Sequence, residues 1–245
     1  MASLPRPEEV EVDETYRFVA PLIAGCRRVL DVGCGNGLLA RRLTGDGFQV
    51  TALDRSLGRT ERSPGIRYVE SDFLGFEDAP HDALVFSASL HHLAPLDRAL
   101  ETAEHLLRPC GLLVAADFDL EAPDRETVRW YYDLEGLLLT SGLFRPDKVR
   151  GSETDDPLAR WHAEHAETPP LHTGAAMRDA LSRRFTLLGS DSGPYLYRYL
   201  AGSLEPTPHA TRIGRWIRDT EARHIASGAL KAVGFRLWAR REGER

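Results

Sequence analysis

The 245-residue sequence is 42% hydrophobic and 28% charged, an ordinary globular balance with chain enough for one large α/β domain carrying a lid-like elaboration. Its three cysteines, Cys26, Cys34 and Cys110, form no Cys-x-x-Cys pair, which excludes a disulfide framework, a zinc ribbon and a dithiol redox motif and suits a reducing cytoplasm. A formal net charge of −6 argues against general nucleic-acid binding, no run reaches the roughly 20 apolar residues of a membrane span, and the start MASLPRPEEVEVDE lacks the apolar core of a secretory signal.

Taken in chain order, residues 12–26 carry a loosely helical mix of apolar and charged residues. The period then changes. Residues 28–32 read as a strand that stops at Gly33, with further glycines at 35 and 37. Leu38, Leu39, Ala40 and Leu43 predict a helix, ended by Gly45 and Gly47. Residues 48–53 are a second strand, closed by Asp54 with Arg55 after it. Residues 66–69 are a third, followed by Glu70, Ser71 and Asp72. Residues 83–86 are a fourth, running into Ser87, Ala88 and Ser89. A helix over 96–107 leads to a fifth strand, 112–116, and Asp117. Strands apolar along their length, alternating with helices, predict a mostly parallel, doubly wound sheet covered on both faces. Its ligand belongs at the carboxyl ends of the strands.

Beyond Phe118 the pattern loosens. Residues 127–139 look helical and carry Trp130, Tyr131 and Tyr132, aromatics expected in a core rather than in a ligand pocket. Residues 145–173 are polar and proline-bearing, a loop or lid whose His162, His165 and His172 lack metal-ligand spacing and read as solvated. A helix over 174–184, a strand over 185–188, a helix marked by Ile213, Trp216 and Ile217, and a last strand over 233–238 complete the chain. Thr211 to Arg245 holds nine Lys/Arg against four Asp/Glu. That basic end reads as a solvated helix face, with a cationic lid over an anionic substrate as the alternative. The whole is expected as a single domain over 1–245, with a core of about 12–118 plus 174–241 and an insert at 119–173.

The chemistry concentrates at Asp31-Val32-Gly33-Cys34-Gly35-Asn36-Gly37. Glycines between a strand and a helix leave the helix amino terminus open to a ligand. The dinucleotide fingerprint Gly-x-Gly-x-x-Gly would need a glycine at position 38, and Leu38 stands there. Asp54, at the tip of the second strand, can accept from two ribose hydroxyls, and Asp72, after the third, from an adenine amino group. Two acidic tips suit a nucleoside without a pyrophosphate, although each carboxylate could equally be a turn or capping residue. Cys34 reads as a small loop filler with no activating base.

The stretch VLDVGCGNG resembles the first motif of the class I S-adenosylmethionine (SAM)-dependent methyltransferases. TALDRS, VESDFLGFE and HDALVFSASLHHL are similar to that family's ribose, adenine and fourth-strand segments. LLRPCGLLVAAD resembles its Leu-x-Pro-Gly-Gly turn, except that Cys110 replaces the first glycine. The resemblance covers roughly residues 25–118. It implies a Rossmann-like methyltransferase fold that binds SAM, releases S-adenosylhomocysteine and acts on a small-molecule metabolite. Asp31 with the loop of Gly33, Cys34, Gly35 and Gly37 would hold the methionine end, Asp54 and Arg55 the ribose, Asp72 and Phe73 the adenine, and the backbone at Ser87 the ammonium.

His91 and His92, after the fourth strand, could serve as a general base toward a hydroxyl or amine, or be structural. Asp117 and Asp119 read as turn carboxylates. The motifs of nucleic-acid amino-methylating enzymes and of arginine methyltransferases are missing, which leaves O- or N-methylation of a small molecule. An NAD-dependent oxidoreductase and a non-catalytic SAM-binding scaffold or regulatory module are the alternatives. No metal, nucleic-acid or membrane partner is expected, and the oligomeric state, monomer or homodimer, stays open.

Overall fold

The computed structural model describes residues 6–149 and 154–243. Residues 1–5, four of the polar 145–173 segment (150–153) and the last two of the basic end (244–245) lie outside the described residues. The chain divides into two compact units.

The larger unit comprises residues 14–118, 172–191 and 235–245. It carries α1 (Glu9–Leu22, mostly here), β1 (Arg28–Val32), α2 (Leu38–Gly45), β2 (Gln49–Asp54), β3 (Arg67–Glu70), β4 (His81–Ser87), α3 (Leu96–Leu106), β5 (Leu107–Phe118), α6 (Gly174–Arg184), β6 (Thr186–Gly193) and β7 (Gly234–Arg240). The seven strands form one sheet in the order β3-β2-β1-β4-β5-β7-β6. β3, β2, β1, β4 and β5 pair parallel in succession. Val32 lies opposite both Leu53 and Phe86, so the carboxyl ends of β1, β2 and β4 align. The chain turns to one side after β1 and to the other at β4, a topological switch point whose crevice opens at those ends.

The predicted parallel, doubly wound sheet is therefore the observed one. β1 and β4 are buried along nearly their whole length, as a sheet covered on both faces requires. In α3 the buried positions Leu96, Ala99, Leu100, Ala103 and Leu106 recur at helical spacing and seal one face of the sheet. Each large aliphatic side chain buried there contributes about 1.5–3 kcal/mol.

β5 begins five residues before the predicted strand. Its pairing with β4 slips between His81↔Leu107 and Ala83↔Leu112, so Arg108 to Gly111 bulge out of the ladder. Gly and Pro signals in that stretch hide the first pairing residue. At the other end Phe185 caps α6 and the sixth strand starts at Thr186.

The second unit comprises residues 1–13, 119–171 and 192–234. It holds α4 (Arg125–Thr140), α5 (Pro157–Glu164), α7 (Leu196–Gly202) and α8 (Ala210–Ala226). Asp124 caps α4 by accepting from Thr127 N at 2.9 Å. Asp156 caps α5, with Pro157 at its first position, an arrangement that satisfies orphan amides where helices start. The segment expected as a loop or lid thus contains a helix.

His165 is not solvated. It is buried, with Nδ1 2.8 Å from the Trp161 carbonyl and Nε2 3.1 Å from the Tyr199 hydroxyl. Tyr131 packs edge-on against Trp161 and Tyr199, ring centroids 6.2 Å apart in both pairs. Glu221 of α8 caps the start of α7, accepting from the amides of Tyr195, Leu196 and Tyr197 at 2.7, 2.9 and 2.8 Å. On the exposed side of α8, Arg215 pairs with Asp13 at 3.1 Å and Arg218 with Asp219 at 2.6 Å. Among the described residues no helix is long and apolar enough to cross a membrane.

Candidate functional site

β1 delivers the glycine loop to the crevice, and the loop is built by backbone conformation. Gly33, at φ 73°, accepts no side chain: a Cβ there would stand 2.6 Å from Cβ of Ser89. Gly35, at φ 52°, faces open space, with nothing within 4 Å of a Cβ. The first glycine serves close packing and the second leaves room beside the loop. Gly37 is the residue at the amino cap of α2, and the Asn36 side chain beside it accepts from Leu38 N at 3.1 Å.

The loop is tied to the strand tips beside it. Leu53 O accepts from Gly33 N at 2.8 Å and Cys34 N at 3.0 Å. Asp54 accepts from Gly35 N at 2.9 Å and Ser56 N at 3.1 Å. Thr60 donates from its hydroxyl to Gly35 O at 2.6 Å. On the β4 side, the Ser89 hydroxyl donates to Val32 O at 2.6 Å. These four partners hold the loop before any ligand arrives.

Asp31 lies beneath the loop at 1% exposure, and its Oδ2 has no hydrogen-bond partner. Burial, then repulsion from Asp54, pushes its carboxyl up to about 7. A buried carboxylate oxygen without a donor is costly, and a cationic ligand group would relieve it. Burial, then Asp31 and Asp54, pushes the Cys34 thiol up to about 12. Cys34 is thus a neutral filler and not a nucleophile.

A cleft of about 180 Å³ opens here, and Gly33, Asp54, Arg55, Phe73 and His92 of the expected residues line it. Ser71, Ala88, Ser89 and Leu93 line it as well and escape the sequence. Asp31, Cys34, Gly35, Gly37, Asp72, Ser87 and His91 do not line it. Asp72 starts the short turn Phe73–Gly75, its Oδ1 accepting from Leu74 N at 2.8 Å. Ser87 ends β4 opposite Ala116, and Ala88 follows in a left-handed conformation at φ 51°.

The two histidines part company. His91 is 5% exposed, and its Nδ1 donates to Oδ1 of Asp117 at 2.6 Å. A carboxylate only accepts, which sets the tautomer. Asp117 also accepts from the amides of Leu90, His91 and Phe118 at 3.1, 3.3 and 2.9 Å. It is 1% exposed, and so is not a turn residue but the buried anchor of the β4 loop. His92 is exposed and its ring lies against that of His91, tilted by 42° with centroids 3.9 Å apart. His172 donates its amide to His91 O at 3.0 Å and its Nε2 lies 3.0 Å from Leu93 O. Among the described residues no group of three or more His, Cys, Asp or Glu is placed to hold a metal ion.

The likeness to known proteins agrees with this geometry. An uncharacterized methyltransferase of Mycobacterium tuberculosis is 36% identical over 118 residues, which cover 44% of this chain and 58% of that protein. The chain therefore matches a little over half the length of that relative. A SAM-dependent methyltransferase from Mesorhizobium loti shares the fold, at 19% identity and a TM-score of 0.56 over 95% of this chain and 98% of that one. So does 1,6-didemethyltoxoflavin-N1-methyltransferase from Burkholderia thailandensis, solved with S-adenosylhomocysteine bound, at 17% identity and a TM-score of 0.52 over 95% of this chain and 78% of that one. A family model described as a methyltransferase domain matches residues 6–183, and the chain belongs to that family.

Proposed function

We propose that the chain is a SAM-dependent methyltransferase acting on an O or N atom of a small-molecule metabolite. The observation that carries this reading is Asp31, buried beneath an open glycine loop with one carboxylate oxygen unpartnered. The donor set fits the cofactor. Asp31 answers an ammonium, and Asp54, on the cleft wall, can accept ribose hydroxyls while keeping its bonds to Gly35 and Ser56. Arg55 flanks it. Phe73 gives the adenine an apolar wall, with Asp72 to accept from its amino group. A dinucleotide fits less well, because Asp31 and Asp54 would repel a pyrophosphate at the loop.

The bound cofactor supplies an electrophilic methyl group on sulfur and a neutral thioether leaving group. The chain's task is then to align the acceptor and to remove its proton, and alignment alone can supply much of the rate. His92, on the cleft wall, takes the proton from the acceptor oxygen or nitrogen. His91, pinned by Asp117, backs the His92 ring and fixes the loop that carries it.

The test is label transfer from methyl-labelled SAM to a panel of phenols, carboxylic acids and amines. Labelled product from a small acceptor is the expected result. Tight adenosyl binding with no transfer to any acceptor would point instead to a non-catalytic module.

A further inference from the structure

At the opposite edge of the sheet, the amino-terminal ends of β1 to β4 enclose a second cleft, of about 250 Å³. Arg28 at the start of β1, Arg67 at the start of β3 and His81 at the start of β4 line it, with Phe48 and Gln49 beside them. None of them enters the chemistry above.

The polar groups of this cleft are unbalanced. His81 is 1% exposed, and neither ring nitrogen completes a hydrogen bond of ordinary geometry, although the Leu106 backbone lies near enough to favour the charged ring. The buried Nε of Arg28 has no partner either. A buried polar group left unmade is costly, and two residues that line this one cleft carry such nitrogens. Asp78, just before β4, accounts for part of the charge. It accepts from Arg67 Nη1 at 2.6 Å but stands 3.8 Å from Arg28 Nη2 and 3.5 Å from His81 Nε2. Asp82 brings a second carboxylate beside Arg28, its Oδ2 accepting from Arg28 N at 2.7 Å and its Oδ1 from Arg108 at 2.5 Å, so three guanidiniums stand against two carboxylates and the balance is one positive charge. Burial holds the imidazole down at about 4, against the pull of Asp78, so it waits neutral for an anion that would favour its protonated form.

We propose that this cleft is an oxyanion site that takes a phosphate group, held by Arg28 and Arg67 and capped by His81. Guanidinium forks match the oxygens of phosphate, and a buried imidazolium would add a third charge-assisted bond. A site on the far side of the sheet from the glycine loop can hold such a ligand without competing for the cofactor.

The probe is the His81 imidazole, followed by NMR across pH in the full chain. Inorganic phosphate and glycerol 3-phosphate form separate arms, with sodium chloride at matched ionic strength as the control. Either phosphate should raise the proton affinity of His81 about tenfold, and the tighter of the two identifies a free anion or a phosphorylated metabolite as the source. Arg67→Ala, at a half-exposed side chain, should weaken the response about tenfold with an unchanged circular dichroism spectrum and melting curve. A His81 signal that millimolar phosphate moves no more than chloride does, or an equal response in a folded Arg67→Ala protein, would overturn the proposal and leave ordered water as the occupant.

Discussion

Nδ1 of His91 donates to Oδ1 of Asp117 across 2.6 Å, with both residues buried. The Asp117 carboxylate serves three backbone amides besides. Asp117→Asn keeps the shape but turns one oxygen into a donor: toward Leu90 and His91 it faces two amides, and toward the ring it faces the Phe118 amide and forces His91 to its other tautomer. The cost is about 2–4 kcal/mol, read as a lower urea midpoint at unchanged slope. In the same assay series His92→Ala should lower kcat well beyond any change in KM for SAM. Stability should be nearly unchanged in His92→Ala but lowered in His91→Ala.

Gly33 and Gly35 separate packing from ligand space. Gly33→Ala would force a Cβ to 2.6 Å from Ser89 at φ 73°. Gly35→Ala carries only the left-handed strain, about 1–2 kcal/mol, with no neighbour to meet. Gly33→Ala should therefore melt lower than Gly35→Ala. Ser89→Gly added to Gly33→Ala should recover part of the difference, since it removes the side chain in the way. Equal melting temperatures for the two single variants would contradict the packing assigned to Ser89.

Asp31 makes stability and affinity depend on pH in opposite senses. Its carboxyl is raised from 3.8 to about 7 in the folded chain, so the folded state binds the proton more tightly than the unfolded one. Its contribution to stability is present near pH 4 and is lost as pH rises to about 7, by roughly 4 kcal/mol at most. Glu221, raised from 4.5 to about 7 by burial, acts in the same direction. A cationic ligand group prefers ionised Asp31, so S-adenosylhomocysteine should bind about tenfold tighter at pH 8 than at pH 6, releasing a proton. Asp31→Asn should flatten the pH dependence of affinity, and a slope that persists in it would assign the titration elsewhere.

Cys110 shows where the sequence departs from the pattern it resembles. It sits at φ 64° in the bulge within β5, a conformation that a glycine adopts freely. Cys110→Gly should stabilise the fold by about 0.5–1 kcal/mol, less strain offset by a freer unfolded chain. A higher urea midpoint checks it.

The parallel core was legible because each of its strands is an apolar run closed by a polar or glycine residue, from Val32-Gly33 to Ala116-Asp117. The acidic tips were legible for the same reason, being charges at the ends of apolar runs. What stayed hidden depends on partners distant in sequence. Asp117 looks like a turn residue until β5 is set beside the loop of His91. Ser89 looks like any small polar residue until Gly33 is packed against it. His165 looks solvated because its partner Tyr199 lies 34 residues away. The helix Pro157–Glu164 was obscured by the prolines and charges around it, although Asp156-Pro157 is itself a helix-start signal. A carboxylate ending an apolar strand, with a histidine after the neighbouring strand, is the pattern that would have found Asp117.

The central claim is that the glycine loop and Asp31 bind an adenosyl sulfur ligand. Calorimetric titration with S-adenosylhomocysteine, beside SAM and NAD, tests it most directly. Micromolar binding of both adenosyl ligands and none of NAD is the predicted result. Binding of NAD alone, or of none of the three to the folded chain, would contradict it.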